Sequence, residues 1–258
     1  MATPNFTTLL VEAVNKPGTI MKAYSAFHSY SLGNQLLAMM QCQLRGIEVG
    51  PINTFPKWQD LGRHVKKGEK ALTLCMPVTI KRKETNDASE EQDASFTVFV
   101  YKARWFVLGQ TEGEPMQLPR MPTWDADKAL STLDIQRVAF TDTDGNCQGY
   151  AQKRSIAVSP IAQLPHKTLF HEMGHVILGH TSEADFNDTE QTPKNLREVE
   201  AEAVALLCCE ALDLDGAEFC RGYIQEWVKR GGDSAVPEKS AQKILKAADK
   251  ILKAGATA

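Results

Sequence analysis

Residues 166–180 read HKTLFHEMGHVILGH and hold four of the six histidines of the chain together with one glutamate. Pro165 suits the first position of a helix and Gly179 its stop, so the spacing predicts about four helical turns over 165–178. On that helix His171 and His175 are four apart, project from one face and can grip one ion at roughly 2.0–2.1 Å. Glu172 lies ~100° around the axis from His171, close enough to the same edge to meet a water on that ion. The pattern is H-E-x-x-H, in which the glutamate serves as general base and not as a ligand. A short match gains weight from its context: a strand before it, the helix-breaking Gly174 kept at its centre, and an E-x-x-A-E (198–202) on a following helix.

Two imidazoles leave a catalytic zinc short of a third protein ligand. His180 stands nine residues after His171, whereas the metzincin pattern needs ten, and Gly179 falls one position late for its glycine. The other source is TPKNLREVEAEAVALLCCEALDL, read as a helix with Thr192 as cap, Pro193 at its first position and apolar Leu196, Val199, Ala203 and Leu206 towards a core. Glu198 and Glu202 are four apart on its flank. One can bind the ion while the other orients His171 through its second nitrogen. The residues leave both assignments open, although the gluzincin-like order, ligand first and orienting partner four later, favours Glu198. His166 and His180 are expected at the surface or as outer partners, and His28 and His64 as ordinary polar histidines.

The 258 residues, 43% hydrophobic and 24% charged, can bury a substantial core and suit a soluble globular protein. No apolar run reaches the eighteen residues of a membrane helix, and the start MATPNFTTLLVEAVNK lacks the features of a secretory signal. A cytoplasmic location without a membrane partner is therefore expected. Six cysteines (Cys42, Cys75, Cys147, Cys208, Cys209, Cys220) form no C-x-x-C, so most are expected to be buried thiols. Charge is uneven. Residues 1–83 hold eleven Lys/Arg against four Asp/Glu, a net of +7, which leaves −10 on the remaining 175 residues of a chain whose total is −3. Two parts with different partners are implied.

The first 46 residues read as helices: FTTLLVEAVNK closes at Pro17-Gly18, and SLGNQLLAMMQCQLRG spaces Leu32, Leu36, Met40 and Leu44 helically before Gly46. Residues 71–83 and 95–108 are rich in β-branched and aromatic side chains, with ETNDASEEQD between them as an exposed hairpin loop. GQTEGEPMQLPRMP, with three prolines and two glycines, is the candidate linker. A short helix from Trp124, a strand near IQRVAF, the turn TDTDGN and a strand SIAVS follow, and everything beyond Pro160 looks helical. The expected class is α+β in two domains: 1–115, α+β, and 124–258, mainly helical with a small sheet.

TFPKWQDLGRHVKKGEKALTL interleaves Phe55 and Trp58 with Lys57, Arg63, His64, Lys66, Lys67 and Lys70. Rings beside a basic groove suit single-stranded nucleic acid, since every base has a π-face and every nucleotide a phosphate. Tyr24, Phe27, Tyr30, Tyr101, Trp105 and the amide of Asn34 lie in the same expected domain. The residues proposed to contact DNA are Tyr30, Asn34, Trp58, Arg63, Lys66, Lys67 and Lys70.

Taken in order, SYSLGNQLLAMMQ, FPKWQDLGRHVKKGEKALTL, FVLGQT and SPIAQLPHKTLFHEMGHVILGHT followed by REVEAEAVALL resemble the ArdC-type antirestriction proteins of conjugative plasmids. The resemblance covers nearly the whole chain and departs at FVLGQT, where the family commonly has an acidic residue before Q-T. It implies an N-terminal single-stranded DNA-binding domain joined to a zincin-like metallopeptidase domain, in a protein that shields incoming plasmid DNA from host restriction. By motif match it implies His171, His175 and Glu198 as ligands of Zn2+ or another divalent metal, and Glu172 as the catalytic glutamate. Two function classes follow. In the first, the protein coats single-stranded DNA and uses the metal domain structurally or to hold a partner. In the second, it is a zinc endopeptidase that cleaves a restriction component or another DNA-associated protein. Glu172 favours the second, because a closed structural zinc site needs no base.

Overall fold

The computed structural model describes residues 5–85, 91–118, 120–143, 145–181, 193–230 and 236–257. It is a mixed α+β chain, and among the described residues it divides into two units, Leu37–Leu118 and Pro4–Leu36 with Pro119–Ala258. The second boundary, Leu118/Pro119, falls within the stretch GQTEGEPMQLPRMP. The opening helices of the expected domain 1–115 group with the other unit.

That larger unit contains α1 (Phe6–Asn15), α2 (Thr19–Phe27), the start of α3 (Leu32–Arg45), β6 (Thr123–Trp124), α5 (Ala126–Thr132), β7 (Gln136–Arg137), β8 (Gly149–Gln152), β9 (Ser155–Val158), α6 (Pro165–Leu178), α7 (Lys194–Ala211), α8 (Ala217–Arg230), α9 (Glu238–Gly255) and β10 (Ala256–Thr257). Every residue of α7 from Val199 to Ala211 is buried. A helix buried all round needs partners on every side, and α6, α8, α9 and α2 supply them. The first helices are held by polar contacts as well. Asn5 caps α1 through the Thr8 N–H, and the Glu238 carboxylate accepts the Phe6 and Thr7 N–H groups at 2.9 Å each, which satisfies donors that a helix start otherwise leaves open. Glu210 accepts the Ile20 N–H at 3.1 Å and pairs with Arg221, which also donates to the carbonyls of Ala13 and Val14. The amphipathic faces Leu9, Leu10, Ala13, Val14 and Ile20, Ala23, Tyr24, Phe27 are buried in this unit.

The small sheet has the order β7-β9-β8, with β7 parallel and β8 antiparallel to β9. Helix α6 packs on β8 and β9. It runs from Pro165 to a left-handed Gly179 (φ 83°), as the sequence predicts. Two glycines set its distances. A Cβ at Gly174 would meet Ala201 Cα at 3.3 Å on α7, and a Cβ at Gly149 on β8 would lie 2.6 Å from Thr168 Cγ2. Only glycine lets helix and edge strand approach this closely. Other details differ from expectation. Trp124 belongs to β6, and Asp125 caps α5 in its place. Pro193 occupies the N-cap of α7, and Thr192 lies outside the described residues. The C-terminus ends in β10, paired with β6.

The smaller unit contains the rest of α3, β1 (Ile52–Thr54), α4 (Phe55–Asp60), β2 (Arg63–Val65), β3 (Leu72–Thr85), β4 (Glu91–Val107), a 3-10 turn (Leu108–Gln110) and β5 (Thr111–Gly113). Its sheets are β1-β4-β3 and β2-β5. β3 and β4 pair from Leu72↔Trp105 to Thr85↔Glu91, so half of ETNDASEEQD, expected as a loop, is strand, and its other half, 86–90, lies outside the described residues. β1 pairs only with Trp105–Val107; beyond that the hairpin is a two-stranded ribbon. In α3, Leu32 and Leu36 are buried but Leu44 is 62% exposed, because a strict spacing of four drifts ~40° per step around the helix. Gln35, Met39 and Cys42 complete the buried face. No helix among the described residues is long and apolar enough to cross a membrane.

Candidate metal centre and nucleic-acid surface

His171 and His175 leave α6 one turn apart, and their Nε2 atoms stand 3.1 Å from each other. From α7, Glu198 brings an oxygen to 3.6 Å from His171 Nε2 and 3.7 Å from His175 Nε2. These three residues form the one cluster among the described residues with metal-ligand spacing. Three atoms at those separations lie on a circle of radius ~2.0 Å, the length of a zinc–nitrogen or zinc–oxygen bond. Glu202 lies elsewhere. Its Oε2 accepts from His171 Nδ1 at 2.8 Å and pairs with Lys167 Nζ at 3.0 Å. A carboxylate cannot donate, so Nδ1 carries the proton and Nε2 of the neutral ring turns its lone pair to the centre. The arrangement gathers lone pairs and negative charge around one point. A divalent cation fits that donor set.

The negative charge gathered here attracts protons as it would attract a cation, and the two compete for the same nitrogen lone pairs. Burial works against a charged His171, but hydrogen bonds with Glu198 and then Glu202 outweigh it and push its pKa up to about 9. Hydrogen bonds from His171 and His175 hold Glu198 well below the usual carboxylate range. Burial raises Glu202, yet the His171 hydrogen bond and Lys167 bring it below its ordinary value. Glu172 is buried, and desolvation raises it although His171 and His175 pull the other way. It sits beneath edge strand β8, with its Cγ 3.4 Å from where a Cβ at Gly149 would be. His180 is expected at the surface or as an outer partner, whereas Glu200, Lys167 and Gly149 carry no local signal in the sequence. His180 Nδ1 lies 3.0 Å from His175 Nδ1, and its Nε2 lies 2.9 Å from Glu200 Oε2. His166 is exposed.

The residues expected to contact DNA do not share one unit: Tyr30 and Asn34, both half-buried, belong to the larger one. Trp58 is a correction. Its ring is fully buried, and its indole N–H donates to the Phe106 carbonyl at 2.9 Å, so it is core and not a stacking platform. Arg63 also has a framework task, donating to Thr111 Oγ1 (2.9 Å), to the Thr111 carbonyl (3.1 Å) and to the carbonyls of Gly113 and Glu114. Lys66, Lys67 and Lys70 are exposed, with Lys66 Nζ 2.9 Å from the Gly109 carbonyl. The FVLGQT motif braces this turn. Buried Gln110 accepts the Val107 N–H and donates to Glu69 (2.7 Å) and to the Lys70 carbonyl (3.0 Å). Exposed rings occur instead on β4, where Phe99 is 71% and Tyr101 40% exposed beside Lys102 and Arg104.

An H-E-x-x-H helix whose centre is completed by a glutamate of the next helix has the ligand set of a divalent-metal site. Residues 11–106 match the model of the N-terminal domain of anti-restriction factor ArdC. The antirestriction ArdC protein of plasmid R388 has a similar fold in both its metal-free crystal structure (TM-score 0.53, 21% identity, 96% of this chain and 94% of that one) and its Mn(II)-bound one (0.54, 20%, 96% and 97%). The match to the ArdC N-terminal domain is thus confined to residues 11–106, and the fold of the chain is similar to that of the R388 protein. An uncharacterized Bacillus anthracis protein is 25% identical over 248 residues, covering 77% of this chain and 41% of that protein. The chain thus spans less than half the length of this curated relative.

Proposed function

We propose that the protein is a plasmid-type antirestriction protein that binds single-stranded DNA, protects incoming DNA from host restriction, and holds one divalent ion at His171, His175 and Glu198. The antirestriction reading is carried by the match of residues 11–106 to the ArdC N-terminal domain. Support for the metal comes from the converging ligand atoms and from the Mn(II)-bound relative; zinc and manganese both suit such a set. For DNA, Lys66, Lys67 and Lys70 supply phosphate contacts, while Phe99 and Tyr101, flanked by Lys102 and Arg104, supply stacking. These rings take the part expected of Trp58.

A second reading, hydrolysis of a peptide bond in a DNA-associated protein, is favoured by Glu172. When bound, a divalent ion supplies Lewis-acid polarisation and acidifies water. Glu172 would take the proton from the attacking water at its carboxylate and pass it to the leaving amine. Burial raises its pKa, which makes it a stronger proton acceptor than an exposed carboxylate. His171, held by Glu202, and His175 keep their lone pairs aimed, and Lys167 offsets the charge of Glu202. DNA protection uses the Leu37–Leu118 surface and does not require this chemistry.

Plasmid transfer into a restricting host tests both readings. A Lys66→Glu/Lys67→Glu/Lys70→Glu variant is expected to lose single-strand binding and protection together, while Glu172→Gln keeps metal, DNA binding and protection. Loss of protection in Glu172→Gln with metal and DNA binding intact would make the protein an enzyme first.

A further inference from the structure

We infer that His180 and Glu200 are positioning residues for His175, a relay that fixes which ring nitrogen of His175 faces the metal centre; this rests on the reading of His171, His175 and Glu198 as ligands. Glu200 is 1% exposed, and its Oε2 stands 2.9 Å from His180 Nε2. A carboxylate only accepts, so that nitrogen carries the proton. The neutral ring then has its lone pair on Nδ1, which faces His175 Nδ1 at 3.0 Å. His175 must therefore donate from Nδ1. Its own lone pair is left on Nε2, the atom that faces His171 Nε2 and Glu198.

Each histidine of the pair thus ends in a buried carboxylate of α7 by a different route. Glu202 reaches His171 directly. Glu200 sits ~200° around the helix from Glu198 and meets His175 only through an intervening imidazole. The left-handed Gly179 (φ 83°) makes this possible by turning the chain back, so that the His180 N–H bonds the His175 carbonyl at 2.9 Å and its ring lies beside that of His175. Groups that orient a ligating imidazole typically contribute 10–100-fold to metal affinity.

The test is chelator competition with Zn2+ alone on the full chain, alongside thermal unfolding of the metal-free protein. His180→Phe keeps the ring shape but removes the acceptor, and its affinity is expected to fall ~10–100-fold. His180→Asn, whose amide oxygen can accept from His175 Nδ1, is expected to recover most of that loss. A purely structural role would lower the unfolding temperature of both metal-free variants and leave the affinity of the folded protein unchanged. A folded His180→Phe with wild-type affinity overturns the relay, as do equal affinities of His180→Asn and His180→Ala should the Phe variant not fold. Wild type that binds no Zn2+ overturns the ligand reading itself, whereas loss of binding in His175→Ala with no effect at position 180 overturns only the relay.

Discussion

In the unit formed by Pro4–Leu36 and Pro119–Ala258, the candidate chemistry sits on two packed helices, one of them buried along thirteen consecutive positions. In Leu37–Leu118 the longest element is a ribbon whose outer length has two strands and whose rings face solvent. The difference suits the two tasks proposed for them. Three ligand atoms must meet within a few tenths of an ångström, so they need rigid elements with locked neighbours. Stacking on bases tolerates any sequence and many poses, so it can be done by side chains on an exposed strand.

If the larger unit depends on its buried polar framework, breaking that framework should cost the most. Arg221→Met leaves Glu210 charged and unpaired, with the Ala13 and Val14 carbonyls losing a donor, and is expected to lower stability by about 3–5 kcal/mol in denaturant unfolding. A loss below about 1 kcal/mol would mean that α1 and α2 are not held as described. In the smaller unit, Trp58→Ala should destabilise by about 3–5 kcal/mol as a core truncation. Phe99→Ala should leave stability unchanged and remove about 1–3 kcal/mol of single-strand affinity. The reverse pattern would restore Trp58 as the platform. The affinity should also fall with salt at a log–log slope of about −0.7 per phosphate neutralised.

This contrast also explains what could be read without a structure. His171, Glu172 and His175 were legible because helix geometry alone fixes residues four apart. Glu198 and Glu202 were legible as a pair, since one spacing serves both roles; which is nearer the imidazole Nε2 atoms depends on how α6 crosses α7. The part played by His180 depends on a left-handed glycine returning the chain, and Glu200 reads as a spare charge until the neighbours of α7 are known. Trp58 lies on a helix of six residues, too short for periodicity to declare a buried face. Phe99 and Tyr101 lie in a strand with apolar side chains on both faces, so alternation could not say which would be exposed. α1 and α2 announce by their amphipathic faces that they need a partner. Nothing local says that it lies about two hundred residues away.

The smallest expected effect concerns that junction. Burial raises the Glu238 carboxyl, but hydrogen bonds from Thr7 and Phe6 outweigh it and hold its pKa below the ordinary value. A carboxylate lowered in the folded state stabilises at pH above its unfolded pKa, and that contribution disappears as pH falls through the folded one. Glu238→Gln should therefore reduce stability by about 1 kcal/mol near neutral pH and flatten the acid-side decline. An unchanged acid profile would remove Glu238 from the account.

α6 and α7 are proposed to hold one divalent ion between them. Elemental analysis of protein purified without chelator, for the wild type and for His171→Ala/His175→Ala, Glu198→Gln and Glu202→Gln, tests it most directly. About one zinc or manganese ion per chain is expected in the wild type and none in the double variant, with Glu198→Gln losing more than Glu202→Gln. A wild type without an ion, or a double variant that keeps one, would contradict it.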